Sequence, residues 1–305
     1  MTAGPPPRSA VRVNGGEPQA GLVPSNTNEG YGNRIVDLLF AGLYDYTCDG
    51  TARPVMLERV DSADNREFRF TLRPGWTFTD GSPVHAGNFV AAWNYAAAGR
   101  NAQRQQSWFG QIEGFRDVAD AGSACAGMSG LIVEDDRSFT VRLAEPNRDF
   151  LNGLGCTAFK PLPERFFGIG ERRFGEQPVG NGPYRLAGWQ HGTQLELVPN
   201  PDYPGPDPAD NDGITFVFYR DLESAYQDLL AGDLDVLDCI PDSALDRYRD
   251  ELGARAVELP VALNKSIGVP YRLDRFAGEE GRLRRAAISM AIDRPAIIDR
   301  LFAGS

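Results

Sequence analysis

Two histidines, four cysteines, a run of spaced aspartates and one polar loop are the places where this sequence could do chemistry. His85 and His191 each stand in a turn-like stretch, with no Ser-His-Asp arrangement and no HExxH spacing around them. A general base there has no nucleophile or metal set beside it, and both residues read better as solvated turn histidines. Asp233-Leu234-Asp235-Val236-Leu237-Asp238 invites a metal, yet it lacks the glycine and terminal glutamate of a calcium loop; it reads as a strand with one wet face. Gly180-Asn181-Gly182 is followed by Pro183 and a strand-like run rather than a helix, which separates it from phosphate-binding glycine loops and leaves a backbone turn. "SNTNEGY", Ser25 to Tyr31, differs from these. It is polar, ends in an aromatic and precedes a helical pattern, so it offers backbone N–H donors at a positive helix end. The same residues could serve as an N-cap loop with no ligand, and both readings stand.

The elements that must position these groups are mixed. Ile35, Leu38, Leu39 and Leu43 recur at helical spacing and predict a one-faced helix over 33–43. "REFRFTLRP" alternates polar residues with Phe68, Phe70 and Leu72, the period-two pattern of a half-buried strand. An Asp80-Gly81 turn follows, and then Phe89, Ala92, Trp93 and Ala96 fall on one helical face. Leu131–Val133 and Phe139–Leu143 flank an Asp-Asp-Arg turn and predict a hairpin. A second strand pair, 184–188 and 194–198, is joined by Gln-His-Gly-Thr, and a further strand covers 213–219. Residues 221–241 read as helix then strand; 279–302 read as two helices broken at Asp293-Arg294-Pro295, where Asp caps and Pro fits a first turn.

The totals narrow the function. A chain of 305 residues is long enough for about two domains. Its formal charge of −11 argues against a phosphate-binding surface, so nucleic acid is not an expected partner. Only Lys160 and Lys265 are lysines among the 31 basic residues, a bias that suggests a GC-rich genome. No apolar run reaches the roughly 18 residues that span a bilayer, and residues 1–18 lack the charged head and apolar core of a signal peptide. Residues 1–10, with three consecutive prolines, read as a flexible leader. Cys48, Cys125, Cys156 and Cys239 form no CxxC pair and no zinc-ligand spacing. They allow either bridges, in three possible connectivities, or four buried thiols.

Several separated stretches share one resemblance. "LRPGWTFTDGSPV" resembles the signature of the family 5 extracytoplasmic solute-binding proteins, the oligopeptide-, dipeptide- and nickel-binding receptors of ABC transporters. "EPQAGLVPSNTNEGYGNRIVDLLFAGL", "PVGNGPYRLAGW" with "NPDY", "DLLAGDLDV" and "LRRAAISMAIDR" agree with it in the family's order over residues 13–303. The actinobacterial peptide-binding type looks nearest, which fits the arginine excess. One departure is His85-Ala86-Gly87-Asn88, where relatives tend to have a better capping sequence before the helix.

The resemblance implies an α/β, periplasmic-binding-protein type II-like lobe with an inserted α+β subdomain. Lobe I would comprise 11–43 and 176–262, the inserted subdomain 44–175, and 263–305 would open a second lobe that is largely missing, as in a truncated chain. Ile297, Ile298 and Leu301 would then form an apolar stripe with no later element to cover them. The implied function is capture of an extended peptide, or a similar small solute, between two closing lobes and its delivery to a membrane permease, with no catalysis, cofactor or resident metal. The chain by itself would bind weakly or not at all. A monomer is implied, outside the cell and at its membrane as a lipoprotein; no cysteine near the start would carry the lipid, so anchoring follows from the resemblance alone. The matching solute-binding residues are Asn28, Glu29 and Tyr31 of the polar loop and Gln106, Ser107 and Trp108 of the run after the subdomain helix, with Glu29 able to meet an ammonium and Trp108 offering a stacking face. Trp76 and Trp93 read as core. Cys125 and Cys156 are the candidate disulfide pair. The alternative is a ligand-sensing or signalling receptor on the same fold, which an extra surface patch on the subdomain would favour.

Overall fold

The structure of the chain, a computed structural model, describes residues 10–258 and 266–301. The expected leader at 1–10 therefore lies almost wholly outside the described residues. Two compact units divide the chain, Met1–Arg220 and Asp221–Ser305.

The first unit holds ten strands: β1 Val11–Gly15, β2 Tyr44–Tyr46, β3 Ala52–Pro54, β4 Leu57–Asp61, β5 Glu67–Leu72, β6 Leu131–Val133, β7 Ser138–Arg142, β8 Tyr184–Gln190, β9 Gln194–Pro199 and β10 Ile214–Phe218. Its helices are α1 Gly30–Leu39, α2 Ala86–Ala97, α3 Phe115–Val118, α4 Glu164–Ile169 and α5 Glu171–Glu176. One sheet has the order β1-β10-β9-β8, with β1 parallel to β10 and the other pairs antiparallel. A second, wholly antiparallel sheet has the order β4-β5-β7-β6, and a short ribbon pairs β2 with β3.

The alternation of 66–74 gives β5 as expected, with Phe68, Phe70 and Leu72 inward. These meet the buried face of α2 in an aromatic core. Phe139 lies 5.2 Å from Phe70, 5.7 Å from Phe89 and 5.7 Å from Trp93, and the Trp93 indole N–H donates to Phe159 O at 2.9 Å. Trp76 and Trp93 are both buried. The poor cap at His85 is offset by Asn88, whose Oδ1 accepts the His85 N–H at 2.7 Å while its Nδ2 donates to Leu162 O.

The first predicted helix is displaced. α1 runs over Gly30–Leu39 and stops at Phe40, which is extended (φ −130°). Leu43 is buried outside the helix, its carbonyl accepting from Val55 N. The chain leaves the helix early because other groups take the carbonyls at its end. Gly182 N donates to Leu39 O, Lys160 Nζ to Phe40 O at 2.7 Å, and the Asn181 side chain pairs with both Ala41 N and Ala41 O at 3.1 Å. Gly180-Asn181-Gly182 is thus a backbone seam. Thr79 of the Asp80-Gly81 turn also donates to Gly180 O, tying the second sheet to the same point.

In the second unit, α6 (Leu222–Ala231) is capped by Asp221, which accepts Ser224 N at 2.8 Å, and ends at Gly232 with φ +85°. Among the described residues no strand spans 233–238: Asp233 N and Leu234 N both donate to Asp228 O, so the start of this stretch folds back over the helix end, and Val236 makes a single β-bridge. Three helices follow, α7 (Tyr248–Leu252), α8 (Gly278–Ala291) and α9 (Arg294–Leu301). The break between α8 and α9 is the expected one, with Asp293 Oδ1 accepting Ala296 N at 3.0 Å. Ile297 and Ile298 are 42% and 43% exposed; the Leu301 side chain lies outside the described residues.

Replacing Asn181 by Leu strands the buried N–H and C=O of Ala41, and urea denaturation is expected to show a loss of about 2–5 kcal/mol. Gly180→Ala is expected to be worse, because a Cβ there would lie 1.9 Å from the Leu39 carbonyl oxygen.

Candidate functional site

The polar loop is built from inside. Asn26 N and Thr27 N both donate to Val23 O at 3.0 Å, and Ser25 and Thr27 are buried. Glu29 is the N-cap of α1: Oε2 accepts Gly32 N at 2.8 Å and Oε1 accepts Gln19 N at 3.3 Å. Its carboxylate therefore serves the fold, with both oxygens engaged. Asn28 and Tyr31 are left facing outward, Tyr31 37% exposed. The Tyr31 ring packs against Gly16, where a Cβ would come within 2.5 Å of it and push the ring aside.

The second stretch, Gln106–Phe109, is a short 3-10 turn beyond α2. Its Ser107 and Trp108 are exposed, Trp108 by 44%, with the indole edge-on to Phe159 at 6.3 Å. Gln106 turns the other way, its amide donating to Ala97 O at 2.8 Å and Ala119 O at 3.1 Å. Of the six residues singled out from the sequence, four (Asn28, Tyr31, Ser107 and Trp108) are exposed, and Glu29 and Gln106 hold the backbone.

The two stretches are brought together by a residue the sequence reading missed. Gln105 is buried; its N–H donates to Ser25 O at 3.1 Å, and its Nε2 lies against Pro24 O, Thr27 O and Thr157 Oγ1. Gln103 adds a bond from Ser25 Oγ at 2.8 Å. Glu171, the first residue of α5, then gathers Asn26 Nδ2, Tyr95 OH at 2.7 Å and Gln103 Nε2 at 2.9 Å. Burial first, and then the Glu171 carboxylate, push the Tyr95 phenol above its usual range, so it stays a donor. The signal in the sequence is the clustering of glutamines at 103, 105 and 106, of which Gln105 faces inward.

All four cysteines are free among the described residues, so the Cys125–Cys156 bridge does not form. Cys125 is exposed and turns to Gly127 O at 3.3 Å, whereas Cys156 donates to Gln105 Oε1 at 3.2 Å. Burial pushes the Cys156 thiol up, away from the thiolate.

A cavity of about 590 Å³ opens elsewhere in the same unit, lined by Tyr44, Tyr184, Tyr203 and Phe216 together with Lys160 and Arg53. Two of its cations are compensated locally: Lys160 Nζ meets Asp37 at 2.7 Å and Arg53 meets Asp45 and Asp207. Burial pushes Tyr203 up to about 12, so it is neutral there. None of the six expected residues lines this cavity. Among the described residues no three His, Cys, Asp or Glu side chains gather as a metal site, and no helix is long and apolar enough to cross a membrane.

This mixed α/β arrangement is the fold of the periplasmic peptide-binding proteins. It superposes on the Escherichia coli murein tripeptide binding protein MppA with a TM-score of 0.73 at 25% identity, over 81% of this chain and 48% of that one. A similar match, TM-score 0.75 at 25% identity over 81% and 49%, is made with Haemophilus influenzae OppA in complex with RPPGFSPFR. In sequence the chain is 26% identical over 263 residues to the dipeptide-binding protein DppE of Bacillus subtilis (strain 168), covering 85% of this chain and 47% of that protein. Residues 51–305 match the bacterial extracellular solute-binding proteins, family 5 Middle, and the chain belongs to that family. It spans about half the length of the curated relatives it matches.

Gln105→Met keeps the volume but removes the amide from three acceptors. It is expected to lower stability by about 2–4 kcal/mol and to raise hydrogen exchange at Asn26 and Thr27 selectively, as read by NMR.

Proposed function

We propose that this chain supplies one wall of a solute-binding site, that the solute is an extended peptide, and that the protein serves an ABC importer as its substrate-binding component outside the cell. The observation that carries this is that the buried Gln105 ties the loop exposing Asn28 and Tyr31 to the turn exposing Ser107 and Trp108. Such a surface offers amide and hydroxyl groups to a peptide backbone and an aromatic face to its side chains, with no demand on side-chain identity. Fold relatives named for peptide binding support the substrate class.

In this reading 11–43 and 176–262 are the core of lobe I and 44–175 its inserted subdomain. Support comes from the sheets: β1, β8, β9 and β10 join residues 11–15 to 184–218, while β4 to β7 lie within 57–142. Residues 263–305 would open the second lobe, and closure of the two lobes on the solute would complete the site. The remaining parts of the account are a monomer, held at the membrane as a lipoprotein and delivering to permease subunits. A binding rather than catalytic role fits the chemistry: Glu29 and Glu171 are held by donors of the fold, and His191 sits between two carboxylates. The signalling-receptor reading has one observation in its favour, the exposed Ile132 and Val133 on the edge strand β6 of the inserted sheet.

Calorimetric titration of the chain with trialanine, with Ni²⁺ and with maltose tests the substrate class. Trialanine alone is expected to bind, at about millimolar Kd (roughly 4 kcal/mol), and Trp108→Ala to weaken it about tenfold. Saturable binding of Ni²⁺ or maltose instead, or trialanine binding indifferent to Trp108, would overturn the proposal.

A further inference from the structure

The β8–β9 turn carries a histidine gripped from both sides. His191 Nδ1 lies 2.7 Å from Glu17 Oε1, Nε2 lies 3.0 Å from Glu176 Oε2, and the next amide, Gly192 N, donates to Glu17 Oε2 at 3.0 Å. Only an imidazolium can donate at both ring nitrogens; a neutral ring turns a lone pair toward one of the two carboxylates. The partners come from separate segments, Glu17 from the loop after β1 and Glu176 from the end of α5. Arg172 and Arg173 of α5 line the groove beside Glu176, and near the end of β8 the Trp189 ring lies 4.6 Å from the imidazole.

Glu17 belongs to the loop on which the proposed solute face rests. Its neighbour Gly16 lies under the Tyr31 ring, Gln19 N donates to Glu29 Oε1, and Arg104 Nη1 reaches Gln19 Oε1 at 3.4 Å. A grip on Glu17 is therefore a grip on the floor beneath Tyr31.

We propose that His191 is a positioning residue for the solute face: as an imidazolium it bridges Glu17 to Glu176, and so ties the 16–19 stretch beside Tyr31 to the end of α5, and this bridge opens when the ring loses its proton. The role in binding rests on the function proposed above; the clamp itself is observable without any solute. Its working range follows from the chemistry. The hydrogen bond to Glu17 outweighs the opposing desolvation and, with that to Glu176, holds the ring above the usual histidine range. Because the folded value is raised, the stabilisation is complete below the unfolded histidine value and disappears as pH rises through the folded one.

Hydrogen–deuterium exchange on the chain, corrected for intrinsic rate and followed in peptides covering 16–22 and 190–193, tests the clamp at about pH 5.5 and about pH 8.5. The wild type is expected to be about tenfold more protected at the lower pH. His191→Gln should be equally unprotected at both, and His191→Arg, which keeps a charge throughout, should be protected at both. Equal protection of the wild type at the two pH values, or a pH dependence that survives His191→Gln, would overturn the proposal. Trp108→Ala must leave the exchange pattern unchanged, so a failure of the solute reading is seen separately from a failure of the clamp.

Discussion

The structure turns on the carbonyl groups that the chain exposes as it leaves α1. A helix end buried in a protein needs partners for its last carbonyls, and here three come from far along the sequence: Gly182 N for Leu39, Lys160 Nζ for Phe40 and the Asn181 amide for Ala41. Asn181 is completely buried and acts toward Ala41 as a strand neighbour would, accepting its N–H and donating to its C=O. Two glycines flank it because a side chain at either would strike the helix backbone. With Thr79 N held on Gly180 O, the same seam joins both sheets of the first unit to one helix end.

Fixing the C-terminal end of α1 also fixes its N-terminal end, where the exposed residues lie. Glu29 caps the helix, Tyr31 lies over Gly16, and the loop before them is fastened to the 3-10 turn by Gln105 and to α5 by Glu171. The carboxylates of Glu29 and Glu171 are drawn into this fastening, and the outward groups are an amide, a phenol, a hydroxyl and an indole. In the proposed function those groups hold the solute. A loop held by so many buried polar bonds is preorganised, so less ordering remains to oppose binding.

Much of the scaffold was legible because it is written in local periodicity. The alternation at 66–72, the helical spacing of Phe89, Ala92, Trp93 and Ala96, and the Asp-Pro punctuation at 293–295 each describe contacts within one element. What escaped was decided at long range. Residues 40–43 continue a helical pattern, yet leave the helix for partners more than a hundred residues away. The Asp233–Asp238 alternation is that of a strand, but Gly232 turns the chain back over Asp228 first. At the candidate site, residue types pointed to two stretches that the fold ties together; which glutamine faced inward, and that Glu29 would cap rather than reach outward, depended on packing that composition does not encode. The family resemblance supplied the overall architecture from several separated motifs, where no single one would have done so.

The central claim is that a solute meets this chain at the surface shared by the polar loop and the 3-10 turn. Intermolecular nuclear Overhauser effects between the methyl protons of trialanine and the protein's aromatic protons test it most directly. Cross-peaks to the Trp108 indole and the Tyr31 ring are the predicted result. Cross-peaks to Tyr44 and Tyr203 of the cavity in their place would contradict it.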